Sequence, residues 1–203
     1  MEGWSNIVQK DIEDLEIPDK ILLRKILSTA GNPCTVFMQL EMGIIPVKYV
    51  IIKKRMIFLH YILNESIDCM IRQVFTALKE DSRKGDFIFM SNNDRIELEI
   101  NKTDEKIAEI TKYCWKKYVK ERVKSSALTN LCIENSKKEK TQNIWFDKLE
   151  MSKYLQENKR TSLSKVIFSV RSKTLDVKEW FPWKYDTVNC VACGNYPETI
   201  DHF

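Results

Sequence analysis

Apolar residues recur through much of this chain at spacings of three and four, the interval that lines up one face of an α-helix. After Pro18-Asp19, the residues Leu22, Leu23, Ile26, Leu27 and Ala30 share such a face. They predict a helix that opens at the proline and stops at Gly31, a residue that tolerates the left-handed backbone of a helix end. Asn32 and Pro33 are then the expected cap and first position of the next helix. That helix carries Val36, Phe37 and Leu40 and ends at Gly43. Pro46 opens a longer helix, to about Leu63, in which Tyr49, Ile52, Met56, Leu59 and Leu63 keep the same rhythm. From Met56 onward its wheel is apolar on nearly every side, the pattern of a helix at the centre of a core.

Residues 67–79 predict a fourth helix with Ile71, Val74, Phe75 and Leu78 inward, and Gly85 interrupts the pattern. The stretch 87–100 reads as helical. The clearest helix of the second half takes Asp104 as its cap and runs to about Leu131, with Ala108, Thr111, Trp115, Val119 and Val123 on its inner face. Residues 135–140 read as a polar linker, and shorter helices are expected over 145–155 and 163–175. No stretch shows the strong alternation of a half-buried strand. Only 5 Gly and 5 Pro among 203 residues also favour helices over turn-rich β-structure. The expected fold class is all-α: an irregular helical bundle with a short, knuckle-like C-terminal tail. The expected organisation is a bundle over 1–135, a linker with short helices packing on it over 136–180, and an aromatic segment with an incomplete zinc knuckle over 181–203.

Composition changes this picture little, with 43% apolar and 31% charged residues. Acids at Asp11, Glu13, Asp14, Glu16 and Asp19, with no apolar run beside them, predict no signal peptide. The apolar stretch 47–63 is broken by Lys53, Lys54, Arg55 and His60, so no membrane span is expected, and the location expected is intracellular, cytoplasmic or nuclear. Without a secretion signal, Cys34, Cys69, Cys114 and Cys132 are expected to be reduced core thiols. Charge adds more. Residues 1–100 carry 13 Lys and Arg against 15 Asp and Glu, whereas 101–203 carry 20 against 14. A basic second half suits a polyanionic partner.

The basic excess concentrates in 112–124, where Lys112, Lys116, Lys117, Lys120, Arg122 and Lys124 face a single acid, Glu121. On a helix most of these lie opposite Trp115 and Val119, and each can neutralise a phosphate in a sequence-independent, salt-sensitive way. The plainer alternative is the solvated face of a packed helix. Lys112, Lys116, Lys117, Lys120 and Lys124 are the candidate binding residues for RNA or DNA. Lys53, Lys54 and Arg55 span about 200° of a helix and form no single patch. Trp180, Phe181, Trp183 and Tyr185 either stack on unpaired bases or pack a small module onto its neighbour. His60, inside an apolar run, reads as a satisfied core histidine.

Cys190, Cys193 and His202 have the spacing of a partial zinc site. A Cys-x2-Cys turn supplies two thiolates to Zn2+ and His202 an imidazole, but three ligands do not close a structural tetrahedron. A reduced or redox-active cysteine pair without metal is the alternative. The chain has two His and therefore no HExxH helix or Ser-His-Asp set, and it has neither a phosphate-binding GxxxxGK[ST] loop nor an adjacent Asp-Asp pair. Asp147 with Glu157 and Lys159 loosely echoes a nuclease pattern that is normally built on strands, and is read as chance. No enzymatic activity is expected.

The stretches "DKILLRKIL", "LEMGIIPVKYVIIKKRMIFLHYILNE" and "VIFSVRSKTLDVKEWFPWKYDTVNCVACGNYPETIDHF", with "KGDF" and "KYCWKKYVKERVK" between them, carry a further signal. Together they resemble the region downstream of the reverse transcriptase palm in non-LTR retrotransposon polyproteins of animals. The chain departs from that pattern at Lys48, where the family has Arg, and at Lys54-Arg55-Met56, where it has Arg-Arg-Leu. In the family the knuckle reads Cys-x2-Cys-x8-His-x4-Cys, so its last cysteine would fall four residues beyond Phe203. The resemblance implies a fragment lacking the polymerase residues: a helical thumb-side or linker region plus partial knuckle, working with the remainder of a parent polyprotein to hold RNA or DNA weakly and electrostatically. A helical protein–protein interaction module, or a relic without function, is the alternative.

Overall fold

The computed structural model describes residues 9–27, 33–80, 83, 85–138, 140–157 and 161–174, together with 187, 189, 190, 193, 196 and 197. Among these residues there are nine helices and no strand: α1 (Gln9–Leu27), α2 (Thr35–Met42), α3 (Val47–Asn64), α4 (Met70–Glu80), α5 (Phe87–Glu97), α6 (Asp104–Ala108), α7 (Lys112–Ser136), α8 (Lys153–Glu157) and α9 (Thr161–Arg171). The class is all-α, as the periodicity predicts. The chain divides into two compact units drawn from separated stretches. The first gathers the described residues up to 19, 44–130 and 146–149; the second gathers those of 20–43, 131–145 and from 150 onward.

The first unit is arranged around α3. Pro46 stands at its N-cap, where a missing N–H costs nothing. Tyr49, Ile51, Ile52, Met56, Leu59, Ile62 and Leu63 are all buried, while Val50, Lys54 and Tyr61 form an exposed strip along the remaining side. Helices α4, α5 and α6 pack on it. Trp115 of α7, fully buried, donates its indole N–H to the Met56 carbonyl at 2.8 Å.

The buried faces of α3 carry polar side chains too, and each must find a partner. Arg55 meets Asp94 of α5 with two parallel bonds, Nε to Oδ2 at 2.6 Å and Nη2 to Oδ1 at 2.8 Å. Tyr49 Oη and Lys48 Nζ donate to Glu97 Oε1 at 2.8 and 2.7 Å, and Asn130 reaches both Tyr49 and Glu97. Burial pushes the Glu97 carboxyl up, but these donors outweigh it and hold it below the usual carboxylate range.

The helix expected over 104–131 is two helices. Thr103, not Asp104, caps α6, its hydroxyl accepting from the Lys106 N–H, and the chain breaks at 109–111. Thr111 then caps α7, accepting from the Cys114 N–H at 3.4 Å. The break frees the Ile110 carbonyl, and His60 Nε2 lies 2.7 Å from it. The core histidine expected from sequence is thus 6% exposed and bonded to backbone that the break releases. Ala108 is half-buried and Thr111 exposed, so the inner face of α7 starts at Trp115 and continues through Val119, Val123 and Ala127.

The second unit centres on α2, where Phe37, Met38, Gln39, Leu40 and Glu41 are all buried. Gly43 ends it as expected, with φ 64 and its N–H on the Gln39 and Leu40 carbonyls. A Cβ there would lie 2.4 Å from the Glu150 backbone. The Ser152 N–H donates to the Glu41 carbonyl at 2.8 Å, Arg171 of α9 donates to Glu41 Oε1 at 2.6 Å, and Phe168 of α9 packs on Phe37 with centroids 5.7 Å apart. Burial, then the Glu41 charge, pushes the Tyr154 phenol well above its ordinary value.

Several boundaries move. Pro18 lies inside α1, because helix formers continue on both sides of it; of the predicted face, Leu23 and Leu27 are buried while Leu22 and Ile26 are half exposed. Ala30, Gly31 and Asn32 lie outside the described residues. Cys34, not Asn32 or Pro33, precedes the first turn of α2. A turn closed by Ser66 delays α4, leaving Ile67 81% exposed and Val74 facing out. Only residues 135 and 136 of the expected linker lie in α7, and buried Asn135 clasps Thr141 through bonds of 2.8 and 2.6 Å. The helix expected over 145–155 shrinks to α8, with Trp145 exposed, because Ser152 starts the turn there.

Two outcomes follow for stability, measured by urea unfolding. Trp115→Ala costs about 3–5 kcal/mol, and Trp115→Phe, which keeps the ring but drops the bond to Met56, costs about 1–2 kcal/mol. Gly43→Ala costs at least about 1 kcal/mol from the left-handed backbone alone, and more from the collision with Glu150.

Candidate nucleic-acid interface

Helix α7 is long enough to have two characters. Its inner row, Trp115, Val119, Val123 and Ala127, is wholly buried in the first unit. The next row along, Lys112, Lys116, Lys120 and Lys124, repeats every four residues, so it forms one ridge with a rise of about 6 Å per step. Lys112, Lys116, Lys117 and Lys120 are exposed and Lys124 is half-buried. A step of about 6 Å is close to two phosphate repeats of one strand along a duplex axis.

Arg122 belongs to the same basic run but is spent on the fold. Its Nε donates to the Leu98 carbonyl at 2.7 Å, and its Nη2 to the Glu99 carbonyl and to Glu99 Oε2, both at 2.9 Å. It thereby satisfies carbonyls at the end of α5, where Glu99 takes a φ of 51. Arg95 and Lys79 are likewise engaged, both pairing with Asp104. Burial raises that carboxyl, and the two cations more than reverse it. The cavity of about 500 Å³ beside them therefore presents cations already paired with a carboxylate.

The start of α7 opens differently. A cavity of about 660 Å³ lies between it and α3, with Lys54, Lys112 and Lys116 in its wall. Phe58, Tyr61, His60 and Trp115 supply the aromatic lining. His60 stacks on Trp115 at 6.0 Å and Tyr118 at 5.7 Å, with Lys102 over the Tyr118 ring. Sequence reasoning did not find this site. Lys54 is separated from Lys112 by most of the first unit, and no local pattern joins them.

The cysteine turn is partly in view. The Cys190 N–H donates to the Tyr196 carbonyl at 2.8 Å, and Asn189 bridges Pro197 in antiparallel fashion, so the chain does double back around Cys193. Cys190 is half-buried and Cys193 exposed, and neither is in a disulfide. His202, Trp180, Phe181, Trp183 and Tyr185 lie outside the described residues. Among the described residues no three His, Cys, Asp or Glu side chains converge to hold a metal. Of the other cysteines, Cys34, Cys69 and Cys132 are half-buried, while Cys114 is exposed, one position round the helix from buried Trp115.

No protein-family model matches the chain, and no curated protein or solved structure is significantly similar to it. Among the described residues no single helix is long and apolar enough to cross a membrane.

The two kinds of cation on α7 separate by mutation. Arg122→Ala destabilises the fold by about 1.5–3 kcal/mol, because carbonyls at the end of α5 lose a charged donor. Lys116→Ala and Lys120→Ala stay within about 0.5 kcal/mol of the parent. Thermal and urea unfolding of the three variants checks this.

Proposed function

We propose that the chain is a non-catalytic helical region that grips RNA or DNA through the lysine ridge of α7, as its resemblance to the post-palm region of non-LTR retrotransposon proteins implies. The observation that carries the reading is the ridge itself. Lys112, Lys116, Lys117 and Lys120 stand exposed on a helix whose opposite interest, the packing row from Trp115 to Ala127, is fully satisfied. Arg122, by contrast, is consumed locally. The retroelement origin rests on the sequence motifs alone. The Cys190–Cys193 turn would add a Zn2+ knuckle to the same grip, with His202 as third ligand and a fourth still to be supplied.

A second reading, a protein–protein interaction module, has an observation of its own. Ile67, just before α4, and Met70 and Val74 within it are 81%, 78% and 46% exposed. An apolar row of that kind suits a partner surface better than a polyanion.

One titration separates the two. If the ridge binds nucleic acid with four or five phosphates engaged, affinity for a single-stranded oligonucleotide falls roughly 50- to 100-fold between 50 and 200 mM salt. The triple variant Lys116→Glu, Lys117→Glu, Lys120→Glu then binds more weakly and with a shallower salt slope, read by fluorescence anisotropy. Self-association that persists in high salt, with no oligonucleotide binding in low salt, favours the interaction module instead.

A further inference from the structure

The cavity at the start of α7 has features that a lysine ridge does not need, and the geometry points to a seat there for one unpaired, base-bearing nucleotide of a strand. This inference rests on the nucleic-acid reading of the ridge and makes it specific: it names single strands, held partly by a base, as the ligand.

Three features converge in one wall. The first is a stacking surface. The Phe58 and Tyr61 rings lie nearly parallel, 17° apart with centroids at 6.0 Å. Phe58 is held from behind by the edge of Phe87 at 5.6 Å, whereas Tyr61 is 47% exposed and offers its ring to the cavity. That ring is the platform; the hydrogen bond to Glu65, then the charge of that carboxylate, holds its phenol above the ordinary value. Base–aromatic stacking tolerates any base, because every base has a π-face.

The second feature is a polar edge beside that platform. Asn64 lines the cavity, and its amide nitrogen donates to the His60 carbonyl at 2.9 Å, so its oxygen is the atom that can accept from a base. The third is charge. Lys54 of α3 and Lys112 and Lys116 of α7 line the same space, at the positive end of a 25-residue helix. Glu65 and Glu109 line it too. Three ammoniums against two carboxylates leave one net positive charge, which matches a single phosphodiester and disfavours a free triphosphate. The volume of about 660 Å³ suits a small-ligand pocket.

Continuity ties the cavity to the ridge. Lys112 and Lys116 are both cavity wall and the first two steps of the ridge. A strand tracked along the lysines therefore passes the mouth of the cavity, where an unpaired base can turn in. A base held in a duplex cannot.

The test uses the full chain and three fluorescent probes: a short oligothymidylate, an abasic strand of the same length, and the corresponding duplex, with oligouridylate as the RNA arm. The expected result is at least fivefold tighter binding to the base-bearing strand than to the abasic strand. Tyr61→Ala abolishes that difference while leaving abasic binding unchanged, and Tyr61→Phe restores it. Asn64→Ala weakens only the base-bearing complex. The Tyr61 side chain is half exposed, so circular dichroism should show its variants folded. If Tyr61→Ala lowers affinity for both strands equally, or not at all, the cavity is not a nucleotide seat, and the ridge reading stands by itself. If no oligonucleotide binds at low salt, the ridge reading falls and takes this inference with it.

Discussion

Everything in the first unit depends on the burial of most of the circumference of α3, all but the strip that carries Val50, Lys54 and Tyr61. Polar groups on its buried faces cannot reach water, so each must be answered by another element. Arg55 is answered by Asp94 of α5, Tyr49 by Glu97 at the end of α5, and His60 by the Ile110 carbonyl in the break before α7. The hydrophobic effect drives the burial without direction. The hydrogen bonds give it register, because each fixes one neighbour at one height along α3. Breaking the Arg55–Asp94 pair from one side would leave an uncompensated charge in the core, which is far more costly than never having had the pair.

The same requirement shapes the candidate site. A continuous helix over 104–131 would use the Ile110 carbonyl internally and leave His60 without that acceptor. The break satisfies His60, restarts the helix at Lys112 and sets its first lysines beside α3 and Lys54. The cavity is thus a by-product of how the core meets its hydrogen-bonding demand. The ridge beyond it is simpler: an inner row of apolar residues every four positions leaves the adjacent row of lysines in solvent.

The second unit solves its problem by a different route. Helix α2 buries a carboxylate, Glu41, completely, and brings Arg171 of α9 to one of its oxygens. Gly43 follows at once and lets the backbone of Glu150 and Met151 approach closer than any side chain would permit. Asn135 and Thr141 close a turn that looks, by composition, like a solvated linker.

What the chain determines by itself is helix content, the central place of α3, the Gly43 stop, and the division of α7 into a packing row and a lysine row. All four follow from spacing within one helix, which is local and periodic. The sequence also put His60 in the core, because apolar neighbours surround it on both sides. Tertiary structure decided the break at 109–111, the spending of Arg122 on the end of α5, and the meeting of Lys54 with Lys112 and Lys116. It also decided that Asn135 would be buried. These depend on partners far along the chain, since a carbonyl freed in one helix is worth its cost only if a donor on another stands within reach.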